Sequence, residues 1–126
     1  MFRTMCKSKI HHLKITDKNL AYEGSLTLDP LLMDAGNIVE WEKVHVVNLN
    51  NGDRLETYVI PGAKGSGAVC LNGAAARRGE VGDIVIVIAY ANVSEEQVRT
   101  FRPRMVYAEE PGNRVAQVVA PEGAAQ

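Results

Sequence analysis

Two cysteines, one tryptophan, two phenylalanines and four tyrosines are all that 126 residues hold of the types that most often mark a thiol or aromatic site. Cys6 and Cys70 are isolated, with no CxxC spacing, so neither a disulfide framework nor a cysteine-bound metal is expected. Charge of one sign is also missing: 14 Lys and Arg face 15 Asp and Glu, a formal net charge of −1. A balance of that kind argues against a nucleic-acid groove and against docking on an anionic membrane. The longest apolar run, IVIVIAYA at 84–91, falls far short of a bilayer span. The first residues, MFRTMCKSKIHH, lack the apolar stretch of a secretory signal, and the expected compartment is the cytoplasm. There is no internal repeat, linker or low-complexity block, and the length suits one domain, 1–126.

The familiar catalytic patterns are absent too. His11, His12 and His45 are the three histidines, without HxH or HExxH spacing. Neighbours on a regular strand point to opposite faces, so His11 and His12 are not expected to share an ion, and no metal is expected. PGAKGSG at 61–67 lacks the residue order of a phosphate loop and joins two strands rather than opening a helix. Ser25 stands in EGSL, not GxSxG, and spacing suggests no Ser-His-Asp set.

What is there is a succession of short strands. The pattern predicts strands at 7–15, 20–28 (interrupted by Gly24-Ser25), 44–49, 55–60, 68–71, 84–91, 104–109 and 114–120. Asn50-Asn51-Gly52-Asp53 reads as a hairpin turn between the third and fourth of these. Asp29-Pro30 opens a short helix that Gly36-Asn37 stops. Ser94-Glu95-Glu96-Gln97 has the form of a capping box and predicts a second helical turn or two. Asn72-Gly73 leads into an alanine-rich turn, and the tail PEGAAQ is expected to fray. Many short strands with turn signals indicate a mainly β fold, a closed barrel or a sandwich.

One dipeptide stands out. Gly24-Ser25 ends the run LAYEGSL, and a serine hydroxyl can attack the carbonyl carbon of the residue before it when the backbone is held suitably. Glycine at the attacked position offers no Cβ to obstruct the approach. The attack exchanges an amide for an ester. Elimination then cuts the chain and leaves dehydroalanine, and hydrolysis releases ammonia and leaves a pyruvoyl group. Gly-Ser is a common pair, and on its own the dipeptide reads as a turn.

Several separated stretches, taken together, carry a resemblance. MFRTMCKSKIH at 1–11, YEGS at 22–25, NGDRLETYVI at 51–60, GSGAVCLNGAAA at 65–76, VGDIVIVIAY at 81–90 and FRPRMVY at 101–107 agree in order and spacing with the aspartate 1-decarboxylase family, which depends on a pyruvoyl group and serves pantothenate biosynthesis. The resemblance implies a small double-psi β-barrel with short helices, assembled as a homotetramer with sites at subunit interfaces. It implies self-cleavage between Gly24 and Ser25 into 1–24 and 25–126, spontaneous or assisted by a maturation factor. A variable tail would begin at about 108. The cofactor would be the covalent pyruvoyl made from Ser25, with no exogenous group and no metal. L-aspartate would be decarboxylated to β-alanine and CO2 through a Schiff base.

Residue by residue, the resemblance assigns Arg54 and Lys9 to the substrate carboxylate and Tyr58 to proton donation. It assigns Thr57 to polarising the Gly24 carbonyl during cleavage and to substrate binding. Asn72, Gly73, Ala74 and Ala75 form the substrate-contacting loop, and His11 and Tyr22 are further candidates as wall or polarising residues. By strand alternation Arg54 and Tyr58 point one way and Thr57 the other. His12 and Arg77 stand where the family often has Arg and His. Two other readings remain open at this point: the same chemistry on another acidic amino acid such as glutamate, and a non-catalytic β-barrel binding module in which Gly24-Ser25 is an inert turn.

Overall fold

Branched apolar residues alternating with polar ones fold most of the chain into strands. The computed structural model describes residues 1–121. Its elements are β1 (Phe2–Lys14), β2 (Asp17–Asn19), β3 (Ser25–Leu28), α1 (Pro30–Gly36), β4 (Lys43–Asn48), β5 (Arg54–Pro61), β6 (Val69–Asn72), a 3-10 helix (Gly73–Arg78), β7 (Ile84–Ser94), β8 (Arg104–Glu109) and β9 (Arg114–Val119). The strands form one sheet in the order β2-β6-β3-β5-β4-β7-β1-β8-β9. The mainly β character and the scarcity of helix match the expected small barrel.

Three pairs, β1/β8, β2/β6 and β3/β5, are parallel. Parallel partners cannot be joined by a tight hairpin, so the chain crosses over between them. The chain leaving β1 then bends the sheet on itself: Ile15 N–H donates to Asp83 O (2.9 Å), and Thr16 N–H to Val69 O on β6 (2.9 Å). Inside, Ile10, Leu26, Val44, Val59, Val87 and Val106, from six different strands, have 0% exposure. Each such side chain contributes roughly 1.5–3 kcal/mol through removal from water.

Helix α1 closes one end, and its cap holds more than the helix. Asp29 Oδ1 accepts from Leu31 N–H (2.9 Å) and from Gly65 N–H (2.9 Å), and Oδ2 accepts from Gly67 N–H (2.8 Å). One carboxylate thus ties the helix start to the 62–68 loop. Burial would raise its pKa, but the three backbone donors and nearby Lys64 outweigh burial and hold it below the usual carboxylate value. Across the same loop, the Asn113 amide exchanges bonds with both backbone groups of Lys14 (2.8 and 2.9 Å) and donates to Gly67 O (2.9 Å).

Several expected boundaries differ. β1 begins at Phe2, not Lys7, because its first residues pair with the end of β7, Phe2 opposite Ser94. β7 accordingly runs to Ser94, and the capping-box helix does not form. Residues 95–100 are turns, the N–H groups of Gln97 and Val98 go to the Ser94 carbonyl, and the Glu95 carboxylate pairs instead with Arg3 (2.6 and 2.9 Å). The strand expected at 20–28 is confined to Ser25–Leu28, because Asn19 starts a turn with its side chain on Ala21 N–H (3.2 Å) and its carbonyl on Tyr22 N–H (3.3 Å). The alanine-rich turn is a 3-10 helix. A register shift between Ile10 and Leu13 breaks the alternation assumed for His11 and His12, and their rings meet edge-on with centroids 5.5 Å apart. The fraying expected of the tail lies, beyond Pro121, outside the described residues.

The depressed Asp29 carboxyl has a signed consequence. Such a group stabilises the fold above its unfolded-state pKa, and the contribution is lost as pH falls through the folded-state value. Asp29→Asn is expected to lower unfolding stability at pH 7 by about 2 kcal/mol. The gap from the parent chain should narrow as pH falls below the ordinary carboxylate range, as urea unfolding at pH 7 and at acid pH would show. A gap of equal size at both would contradict the charge-based account.

Candidate functional site

Two pairings converge on the start of β3. In the antiparallel pair with β6, Ser25 lies opposite Asn72. In the parallel pair with β5, Leu26 lies opposite Val59, which places Gly24 level with Thr57 when the register is extended back by two residues. The sheet therefore brings together residues that sequence keeps more than thirty positions apart.

Ser25 is 1% exposed, whereas Gly24 before it is exposed. The Ser25 hydroxyl oxygen accepts from Asn72 Nδ2 (2.9 Å) and donates to the Glu23 carbonyl (3.2 Å). The same amide nitrogen donates to Thr27 Oγ1 (2.8 Å), while Asn72 Oδ1 accepts from the Cys70 thiol (3.2 Å). Burial, reinforced by Asp17, raises the Cys70 pKa and keeps that thiol a donor. Asn72 is itself 3% exposed, so its bonds form in a poorly solvated place where they hold the serine oxygen firmly.

The stretch before Ser25 rests on Gly73. This glycine has φ +63°, and a Cβ on it would stand 2.7 Å from both Cα and N of Gly24 and 2.9 Å from the Tyr22 carbonyl. A Cβ on Gly24 would meet nothing within 4 Å. The steric need for glycine in the folded chain thus falls at 73, beneath the dipeptide, and Gly24 itself faces open space.

That space is a cleft of about 370 Å³ lined by Gly24, Leu55, Glu56, Thr57, Tyr58, Ala74, Ala75 and Arg78. Of the sequence candidates, Gly24, Thr57, Tyr58, Ala74 and Ala75 meet here, while Ser25, Asn72 and Gly73 lie buried beside Gly24 without lining the cleft. Leu55, Glu56 and Arg78 were not anticipated, and nothing in their spacing singles them out. Arg78 is anchored by Asp53 (3.0 Å) and the Arg54 carbonyl (3.1 Å). The Tyr58 ring packs on Trp41 with centroids 5.5 Å apart.

The remaining candidates lie elsewhere in this chain. Arg54 does not line the cleft: its guanidinium reaches across β4 to Tyr90 on β7 (3.1 Å). Lys9 pairs with Ile88, which pairs with His45, which pairs with Glu56. Directly paired residues share a face, so Lys9 and Arg54 sit on one outer sheet face with β7 and β4 between their strands. His11 stacks on Tyr107 at 5.2 Å. Its Nε2 is buried without a hydrogen-bond partner among the described residues. Burial first, then Lys9 and His12, hold its pKa below the ordinary imidazole value. Tyr22 is 53% exposed, and its backbone carbonyl, rather than its ring, touches the Gly73 floor. Of the two departures, His12 is exposed and Arg77 lines a separate hollow with Lys18 and Glu80. No group of three His, Cys, Asp or Glu side chains that could hold a metal occurs among the described residues.

Comparison with known proteins agrees along nearly the whole chain. A family model described as aspartate decarboxylase matches residues 1–116. An aspartate 1-decarboxylase of Desulfitobacterium hafniense is 55% identical over 115 residues, covering 91% of each chain. One from Halalkalibacterium halodurans is 52% identical over 124 residues, 98% of this chain and 97% of its own. One from Bacillus cereus is likewise 52% identical over 124 residues, with 98% and 97% covered.

Gly73→Ala is expected to cost at least about 2 kcal/mol, because both the positive φ and the Gly24 backbone oppose a methyl group. Gly52→Ala, at φ +78° with nothing within 4 Å, isolates the backbone cost alone, about 1 kcal/mol. Urea unfolding of the two variants checks the difference.

Proposed function

This chain belongs to the aspartate decarboxylase family, an enzyme family of carboxy-lyases, and we propose that it cuts itself between Gly24 and Ser25 and then converts L-aspartate to β-alanine and CO2. The observation that carries the reading is the buried Ser25 hydroxyl, held by Asn72 at 2.9 Å beside a Gly24 whose backbone lies on a glycine floor. A hydroxyl that is to attack its own upstream carbonyl must be held still next to it, and the Asn72 bond supports that reading. The groups present also fit the pyruvoyl that cleavage would leave: a shielded residue 25, an amide donor beside it, and an adjoining cleft walled by alanines.

The cleavage is an N-to-O acyl shift followed by an elimination. Ser25 Oγ bonds to the Gly24 carbonyl carbon, the C–N bond breaks, and the hydroxyl proton passes to the freed amine. Elimination then releases the Gly24 carboxylate and leaves dehydroalanine, whose hydrolysis consumes one water and liberates one ammonia. Thr57, level with Gly24, would donate to the carbonyl oxygen as negative charge gathers there. Asn72 keeps Ser25 turned into the floor and outlasts cleavage as a donor at the same point.

A pyruvoyl group at residue 25 supplies an electrophilic carbonyl for an α-amine and an electron sink for the pair left when the α-carboxylate departs. Tyr58 holds a phenolic proton at the cleft wall for delivery to the substrate Cα. Ala74 and Ala75 leave room for ligand beside the backbone of the 3-10 helix. Arg54 and Lys9 would hold the substrate carboxylate, Arg54 through its planar fork. Neither lines this chain's own cleft, so they would serve the Ser25 of a neighbouring copy. That arrangement supports a homotetramer with sites at subunit interfaces, as do the exposed Trp41 and the exposed Val115, Val118 and Val119 on β9. No helix among the described residues is long and apolar enough to cross a membrane, and we place the enzyme in the cytoplasm, feeding pantothenate biosynthesis.

Denaturing mass spectrometry after incubation should show residues 1–24 and 25–126, with one water gained and one ammonia lost overall. Hydrazide should trap a carbonyl at residue 25. Ser25→Ala should remain whole and release no CO2 from aspartate, and Asn72→Ala should slow cleavage at least about tenfold, the equivalent of one lost hydrogen bond. An intact chain after heating, and after incubation with cell extract, would favour the binding-module reading. Faster CO2 release from glutamate than from aspartate would favour the longer substrate.

A further inference from the structure

We propose that Tyr90 and His45 are positioning residues that set the orientation of the Arg54 guanidinium before substrate arrives. The inference rests on the reading of Arg54 as the carboxylate-binding residue. Neither Tyr90 nor His45 lines the cleft, and no motif in the sequence joins them to Arg54, since the three stand on β7, β4 and β5.

The outer face assembles them in one direction of donation. Arg54 Nη2 donates to the Tyr90 hydroxyl oxygen (3.1 Å). The Tyr90 hydroxyl donates to His45 Nδ1 (3.1 Å). His45 Nε2–H donates to Glu56 Oε1 (3.2 Å), and Lys43 donates to Glu56 Oε2 (3.1 Å). The Glu56 carboxyl is held below its usual pKa by Lys43 first and His45 next, so it is a full acceptor at the end of the chain. The scheme requires neutral His45 with its proton on Nε2, and Glu56 selects that tautomer. The His45 ring also meets the Tyr90 ring at 4.9 Å, which fixes the phenol where Arg54 finds it, and Arg54 Nη2 itself comes to 3.4 Å from Nδ1.

The physical effect is preorganisation. An exposed arginine on a strand samples many rotamers, and a carboxylate that binds it must select one. The Tyr90 oxygen, engaging Nη2 beforehand, removes part of that freedom, while Nε and Nη1 make no hydrogen bond among the described residues and remain open to ligand. Because Glu56 also lines the cleft, the relay joins the set of Arg54 to the rim of the catalytic hollow in the same chain. A uniform effect on ground and transition state is expected, since Arg54 holds a carboxylate remote from the bond that breaks.

The test is steady-state decarboxylation by fully cleaved protein, with cleavage followed by mass spectrometry. Tyr90→Phe and His45→Phe should each raise KM for aspartate about threefold to tenfold with kcat within about twofold and cleavage at the parent rate. His45→Asn, whose Oδ1 falls near the place of Nδ1, should restore most of the affinity. In the double variant Arg54→Lys/Tyr90→Phe, KM should equal that of Arg54→Lys alone, because Tyr90 acts through Arg54. A parent-like KM in Tyr90→Phe alongside a raised KM in Arg54→Lys would overturn the relay and leave the carboxylate reading standing. A parent-like KM in Arg54→Lys would remove the carboxylate reading and the relay with it. Additive effects in the double variant would show that Tyr90 acts on the substrate by some route other than Arg54, and would likewise overturn the proposal.

Discussion

The contact on which the rest of the site depends is the one between two glycines. Gly73 presses its Cα face against the backbone of Gly24 so closely that a single methyl group would overlap two main-chain atoms. That contact sets the depth at which Ser25 enters β3, and depth decides burial: the serine is inside, and the residue before it is outside. Asn72, immediately before Gly73, then falls opposite Ser25 in the β3/β6 ladder and reaches its hydroxyl. A shift of one residue in that ladder would turn the asparagine to the other face and leave the serine without its donor. Contact, register and hydrogen bond are therefore one constraint seen at three scales.

The barrel supplies the rigidity this constraint needs. β3 is held between β5 and β6, so neither the Thr57 side nor the Asn72 side of Ser25 can move without breaking a ladder. At the far end of β3 the Asp29 carboxylate ties three backbone donors from two segments, and Asn113 joins the same loop to the end of β1. These anchors add to the Asn72 bonds on Ser25 and Thr27, and a four-residue strand needs such neighbours to hold it. The outer face is a different environment. There Arg54, His45, Tyr90 and Glu56 form hydrogen bonds among partly exposed groups, which orient one another more than they stabilise the fold.

Much of this was legible in the residues. Asp29-Pro30 and Gly36-Asn37 bounded α1 correctly, because caps are local: Asp29 meets Leu31 two residues away, and Asn37 adopts φ +55° as a left-handed stop. The Asn-Gly hairpin and the strands around it were legible for the same reason. The capping box at Ser94 failed because Glu95 found Arg3, a partner 92 residues away, and because β1 offered Ser94 a ladder. The strand expected at 20–28 failed where the Asn19 side chain made a turn compete with extension. His45 and Tyr90 left no trace in the sequence, since their relation to Arg54 exists only across three strands.

Composition, turn residues and the spacing of quoted stretches were enough to determine a mainly β chain, a place in the decarboxylase family and a suspect dipeptide. Those are properties of short segments, and short-range sterics and hydrogen bonding decide them. Which side of Ser25 is buried, why glycine is required at 73 rather than at 24, and where Arg54 and Lys9 lie relative to the cleft were decided only by strand register and barrel closure. These depend on non-local pairing, in which every contact is chosen jointly with all the others, and no window of the sequence contains it.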